Sequence, residues 1–352
     1  MIYGKAATLC GRCGSDFMSF WTDKNVFITG ADGFIGSWLA QKLIEEKANV
    51  ITIVRDLKKD SNLRVMGIQD KVTIVEGDIA DYSKVERAVN QFSADTCFHL
   101  AAQTMVSFAA QSPLPTFESN IKGTWTILEA CRNSKSMERI VVASSDKAYG
   151  SQAKLPYEEN AHLQGLFPYD ASKACADILS RAYHNTYGMP VAVTRNANTY
   201  GGGHLNFTTL IPDAIRSTLQ GKQFVIRSDG TYRRDYMYVK DAISAYLTLA
   251  ENLHRKDVKG EAFNFGTGNP TSVLEVFDKI SRLTGNKMKP KVLGTAKNEI
   301  KDQYLSIEKA RKVLRWQPGF TLDQGLKETV DWYRNYLINK TLSKNFLGGG
   351  YK

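Results

Sequence analysis

At 352 residues and 39.3 kDa the chain can bury a full core, with room for one large domain and a smaller lobe. Apolar residues make up 43% and charged residues 23%, the balance of an ordinary soluble enzyme, and no apolar run approaches the roughly 18 residues that a membrane-spanning helix needs. The formal net charge of +10 is carried by scattered residues and short pairs such as Lys58-Lys59 and Arg233-Arg234, without a nucleic-acid-binding motif; an anionic small substrate such as a diphosphate accounts for part of it equally well.

The leader, residues 1–19, has no long apolar stretch and so is not a secretory signal, and Met18 is a candidate natural start. It carries one C-x-x-C, Cys10 and Cys13, without the second pair or the spaced histidines that zinc requires, so no metal is expected. Cys97, Cys131 and Cys175 lie inside apolar patterns and read as buried small hydrophobes rather than a disulfide framework. The cytoplasm is the expected location. A short apolar strand over 25–29 runs into a glycine, and Trp38, Leu39, Leu43 and Ile44 then follow at helical spacing over 37–47. Strands are predicted over 50–54, 72–75, 97–100, 139–143 and 191–194, with helices between them, as at 124–131 and 172–187. Short apolar strands alternating with helices predict an α/β fold, a parallel sheet covered on both faces.

Past residue 195 the rhythm changes. Gly201, Gly202 and Gly203 read as a flexible loop, 207–219 as a helix, 224–228 as a strand, and 263–266 as a strand rejoining the main sheet. The remainder reads as mostly helical, with Trp316-Gln-Pro318 closing a helix. These later segments are expected to pack over the carboxyl ends of the sheet strands, where open α/β sheets bind ligands. The expected division is a leader at 1–19, a Rossmann-type domain at 20–195, and a smaller, mainly substrate-binding lobe at 196–345. Segments near 235–266 return to the first domain, and 346–352 form a frayed tail.

Gly30, Asp32, Gly33, Phe34, Ile35 and Gly36 lie between a predicted strand and a predicted helix. Glycines permit the tight turn and close approach to a pyrophosphate, and the helix N-terminus adds amide donors and a favourable dipole. With the second strand present, this is a dinucleotide site for NAD or NADP. At the end of that strand Arg55 suits a 2′-phosphate and so favours NADP, whereas Asp56 would hold a 2′-hydroxyl. Asp78 and Ile79, after the third strand, are positioned to meet adenine.

Tyr169 and Lys173 are four apart and share one helix face. Lys173 can hold the nicotinamide ribose and lower the phenol pKa, leaving Tyr169 as base towards a substrate hydroxyl. Ser145, after a predicted strand, can share that hydroxyl. Asp146 and Lys147 come next, and an acid beside a base is what water elimination needs: a neutral Asp146 to protonate a leaving hydroxyl, a neutral Lys147 to take an acidified carbon proton. The alternative for the pair is a charged surface turn.

These motifs, together with His99-Leu-Ala-Ala-Gln103, Asn120-x-x-Gly123-Thr124 and Arg234-Asp235-x-x-Tyr238-Val-x-Asp241, resemble the extended short-chain dehydrogenase/reductases that modify nucleotide sugars. The likeness spans about 20–318 and points to the 4,6-dehydratases. Phe20-Trp21, Gly36-Ser-Trp38-Leu39 and the Asp-Lys pair are similar to the CDP-glucose branch. The resemblance implies a tightly retained cofactor touching Leu100, Ala101 and Ala102, and an NDP-hexose substrate converted to its 4-keto-6-deoxy form. It implies substrate contacts from Thr104, Val106, Ser107 and Asn120, Asn198 and Arg234 at the diphosphate, and Asn206, Leu210 and Ile211 at the nucleotide. It also implies a homodimer formed through 124–131 and 174–187. The rival activities of the same superfamily are 4-epimerase, decarboxylase and ketoreductase; epimerases keep Ser145, Tyr169 and Lys173 but have no need of the acid–base pair.

Overall fold

The computed structural model describes residues 19–295 and 300–347, with side chains as far as residue 340. Cys10, Cys13, Met18 and the glycines at 348–350 lie outside the described residues.

Apolar strands with no polar face can rest only in the middle of three layers. β1 (Asn25–Thr29) sends Val26 and Ile28 to one side of the sheet and Phe27 to the other. The same alternation runs through β2 (Asn49–Val54), β4 (Thr96–His99), β5 (Arg139–Ala143) and β6 (Val191–Asn196). With β3 (Thr73–Glu76) and β11 (Ala262–Phe265) they form a seven-stranded sheet in the order β11-β6-β5-β4-β1-β2-β3, parallel throughout. One face is covered by α1 (Phe34–Glu45) and α9 (Val239–Glu251). The other carries α3 (Tyr82–Gln91), α6 (Gly123–Arg132) and α7 (Pro168–Tyr187). The chain leaves β1 for one edge and β4 for the other, so a crevice opens at their carboxyl ends. Short helices α2 (Asn62–Val65), α4 (Val106–Gln111) and α5 (Pro113–Phe117) border it.

A second core, around Ile215, Phe224, Phe277, Val330 and Tyr333, belongs to the smaller lobe. Its helices are α8 (Leu210–Leu219), α10 (Val273–Thr284) and α11 (Leu322–Leu347). Its strands are brief: β7 (Asn198–Tyr200), β8 (Val225–Ile226), β9 (Arg233–Arg234), β10 (Tyr236–Tyr238), β12 (Thr271–Ser272), β13 (Lys291–Val292) and β14 (Asp302–Gln303). A strand two residues long carries no readable alternation, which is why β9 and β12–β14 are absent from the sequence reading and the strand expected over 224–228 shrinks to β8. The helix expected to close at Trp316 ends earlier, at Leu314, because Arg315 turns left-handed (φ 55°) and sends Trp316 into the core.

The glycine run is not a loose loop. A Cβ on Gly201 would stand 2.5 Å from Val239, and one on Gly202 would stand 2.3 Å from the Trp332 ring. Trp38 donates to the Gly202 carbonyl (2.7 Å), and Asn62 to that of Gly203 (2.9 Å). Gly201 and Gly202 are there for close approach, and Gly203, at φ +86°, for a left-handed backbone.

Candidate active site

The crevice holds a cleft of about 610 Å³ lined from both sides: Gly30, Asp32 and Phe34 to Gly36 below, Leu100 to Ala102, Ser145 and Lys173 at the strand ends, and Asn198, His204 and Asn206 from the lobe. Gly30 adopts φ +76°, and a Cβ there would lie 2.8 Å from the Ala101 amide. A Cβ on Gly36 would lie 2.1 Å from the Gly30 carbonyl oxygen. The turn is thus pressed against the first helical turn, whose N-cap, Gly33, gives no side-chain cap. First-turn amides without an acceptor at a cleft floor are what a pyrophosphate needs, so these residues fit a dinucleotide. Arg55, Asp78 and Ile79 line the same cleft, and the exposed Arg55 guanidinium lies 3.5 Å from the Asp78 carboxylate.

The catalytic candidates converge at the end of β5. Ser144 donates to the Lys173 carbonyl (3.0 Å), and Lys173 Nζ donates to the Ala143 carbonyl (2.8 Å), clamping α7 to the strand end. Burial brings the Lys173 pKa down to about 8. Pro168 starts α7 one residue ahead of Tyr169, which places the phenol and Lys173 on the cleft side. Burial lifts the Tyr169 phenol above its usual value, with Ser145 pulling the other way. The lysine's ammonium is spent on a carbonyl, so in this arrangement Ser145 is the group that eases the phenol's ionisation.

Ser145 caps the short turn Asp146–Tyr149 and donates to Asp146 Oδ1 (3.1 Å). Asp146 is 2% exposed, and its second oxygen has no hydrogen-bond partner. Burial raises its pKa, opposed by Lys147, Ser145 and Arg234. Lys147 does not line the cleft; its Nζ donates to Gln303 Oε1. Asp170, beside Tyr169, is held up to about 6, mainly by burial.

The substrate candidates divide into groups. Thr104, Asn198 and Asn206 line the main cleft, and the Asn198 amide nitrogen is buried without a partner. Asn198, Leu210, Ile211 and Arg234 line an adjoining pocket of about 270 Å³ with Tyr232, Tyr236 and Val273. Val106 and Ser107 open α4 on the exposed side. Asn120 is buried behind the loop: it accepts from the Gln103 amide (2.7 Å) and donates to the Gln103 carbonyl (3.0 Å) and Ser172 Oγ (2.9 Å). His99 is bonded at both nitrogens, to Thr29 (2.8 Å) and Thr124 (3.0 Å), and burial takes its pKa to about 3, so it braces the sheet as a neutral ring.

Sequence reasoning missed Gln303, Asn196, Tyr246 and His204. Asn196 leaves one buried oxygen unpartnered at the cleft wall while donating to the Tyr246 hydroxyl (3.2 Å). His204 stacks on Phe34 (4.7 Å, 4°). None lies in a motif; a polar residue inside the apolar runs 191–196 and 239–251 was the only available signal, at Asn196 and Tyr246. Among the described residues no three His, Cys, Asp or Glu side chains could hold a metal ion, and no helix is long and apolar enough to cross a membrane.

Residues 27–329 match the family model of GDP-mannose 4,6 dehydratase. The chain is 30% identical over 335 residues to CDP-glucose 4,6-dehydratase of Salmonella typhimurium, covering 91% of this chain and 93% of that protein. Among solved structures it resembles dTDP-glucose 4,6-dehydratase of Bacillus anthracis in complex with NAD (TM-score 0.79, 30% identity, 89% and 97% covered). It is also similar to UDP-glucose 4-epimerase of Thermotoga maritima with UDP-glucose (TM-score 0.82, 29% identity, 89% and 99% covered).

Proposed function

The chain belongs to the GDP-mannose 4,6 dehydratase family, within the NAD(P)-dependent enzymes that act as nucleotide-sugar dehydratases and epimerases, and from that premise we propose that it removes water from an NDP-hexose to give the 4-keto-6-deoxy sugar. One observation carries the reading. Asp146 is a buried carboxyl with a raised pKa and an unpartnered oxygen, set between Ser145 and Tyr169 at the cleft. A carboxyl whose pKa burial raises is better suited to hand a proton to a departing hydroxyl, and epimerisation has no step that uses one.

The cradle of Gly30 to Gly36, with Arg55, Asp78 and Ile79 at the adenosine end, would hold NAD or NADP, and the nicotinamide would accept hydride from C4 and return it to C6. Tyr169, eased by Ser145, takes the C4 hydroxyl proton, and Lys173 fixes the geometry from β5. The resulting ketone acidifies the C5 proton, which Lys147 removes while Asp146 protonates the leaving 6-hydroxyl. Asn198 and Arg234 bind the diphosphate. Arg234 gives the lobe a rigid donor fork there, and Leu210, Ile211, Tyr232 and Tyr236 take the base. CDP-glucose is the first substrate to try, on the Asp-Lys pair. Phe20 and Trp21, similar to the same branch, pack on Arg139, Phe98 and Glu251 and say nothing of the base. A homodimer is proposed through α6 and α7, whose outer faces expose Trp125, Ile178 and Tyr187.

The test is incubation of purified protein with CDP-, dTDP-, GDP- and UDP-hexoses without added reductant, followed by mass spectrometry. Loss of one water from at least one of them is expected. Clean 4-epimer at unchanged mass would make this chain an epimerase, an activity that the likeness to the Thermotoga maritima enzyme keeps in view.

A further inference from the structure

Gln303 is fully buried, yet it comes from a strand of two residues, β14, in the lobe. Its side chain is spent on the turn that carries the acid–base pair. Nε2 donates to the Asp146 carbonyl (3.0 Å), and Oε1 accepts from Lys147 Nζ. The residues around it tie the same segment to two other places. Gln303 pairs in register with Arg234 on β9, and the Arg234 guanidinium bonds the carbonyls of Lys301 (2.8 Å) and Ile300 (2.5 Å). On the other side the Tyr157 amide donates to the Tyr304 carbonyl (2.9 Å), and the Ser306 amide to the Tyr157 carbonyl (2.9 Å). The segment 300–306 therefore spans from the proposed phosphate clamp to the loop behind the catalytic turn, with Gln303 at its centre.

We propose that Gln303 is a positioning residue for elimination: through one carboxamide it fixes the turn at Asp146, aims Lys147 and sets the charge state of that lysine, linking the acid–base pair to the strand that bears Arg234. The inference rests on the assignment of Lys147 as the C5 base. A carboxamide oxygen accepting from an ammonium favours the charged lysine, so removing it frees the neutral base at lower pH, and replacing it with a carboxylate delays that to higher pH. The charged groups around the lysine include Asp146 on its own turn and Asp170 on α7; Arg234 on β9 acts on Asp146, Asp302 precedes Gln303, and the phenols of Tyr157 and Tyr169 lie near Asp146. None of these residues is itself substituted in the Gln303 variants.

The experiment measures C5 deuterium exchange of bound substrate against pH in the parent, Q303L, Q303E and K147A, with NMR titration of isotope-labelled lysine on the substrate-free proteins. The acid limb of exchange should move down in Q303L and up in Q303E, each by about one pH unit, the scale of a neighbouring charge or hydrogen bond, with the Lys147 signal moving the same way. Q303E keeps the size of the parent side chain and serves as the folded reference should Q303L prove unstable. Limbs that coincide with the parent, or move together in one direction, would overturn the inference while K147A, inert in exchange, left the assignment of Lys147 standing. Parent-like exchange in K147A would instead remove the base assignment itself.

Discussion

At the scale of single residues, the proton work proposed for the cleft falls to groups that burial shifts, the Asp146 carboxyl and Tyr169 phenol upward and the Lys173 ammonium downward. Tyr169→Phe keeps the ring but loses the base; turnover should fall by about 10²–10⁴-fold with substrate affinity, measured by calorimetry, little changed. Near-parental turnover would remove the phenol from the oxidation step. Asp146→Asn should leave C5 exchange in place and slow loss of the 6-hydroxyl. It also has a signature in stability. Burial raises the folded pKa of Asp146 above its unfolded value, so the contribution of this group is fully present below the unfolded pKa and lost as pH rises through the folded one. D146N should therefore melt about 2–4 °C above the parent at neutral pH, with the gap closing as pH falls towards about 4; a gap independent of pH would mean that the carboxyl is not protonated by burial. Arg55 offers a test of cofactor choice: denatured protein is expected to release more NADP than NAD, and R55A should shift that ratio towards NAD.

At the scale of elements, the catalytic turn is held from below by ionic contacts. Arg195 on β6 forms a forked pair with Asp177 on α7 (2.7 and 3.0 Å) and donates to the Tyr149 hydroxyl (2.8 Å), and both partners of the pair are almost wholly buried. Removing one partner strands the other charge. Asp177→Ala should cost about 3–5 kcal/mol, read as a lowered denaturation midpoint. A change within about 0.5 kcal/mol would show that Arg195 finds another partner. The strands and the glycine cradle were legible because periodicity and punctuation sit within a few neighbours: the run 25–36 announces strand, turn and helix without help from the rest of the chain. Gln303 was not legible. Its meaning lies in a carbonyl and an ammonium that stand 157 and 156 positions earlier in the chain, and the two-residue strand that delivers it has no pattern of its own. Gly201 and Gly202 mark the middle case: the punctuation was visible, and only the packing of Val239 and Trp332 tells why it is there.

At the scale of the whole molecule, α6 and α7 present Trp125 (44% exposed) and Ile178 (56% exposed) on one side of the sheet, away from the lobe. Exposed apolar side chains on this packed helix pair are where the proposed homodimer contact would fall. Replacing both with Glu should convert a dimer to a monomer in sedimentation velocity; unchanged mass in the double variant would locate the contact elsewhere. The placement of Gln303 near the carboxyl end also bears on how the protein comes into being on the ribosome. The strands and glycines of the dinucleotide cradle are all made before β14 is. A nascent or prematurely terminated chain can thus own the nucleotide cradle and Tyr169 while still lacking the Gln303 contact proposed to aim Lys147. Under the proposed roles, synthesis itself then orders the two capacities, and the second waits for β14.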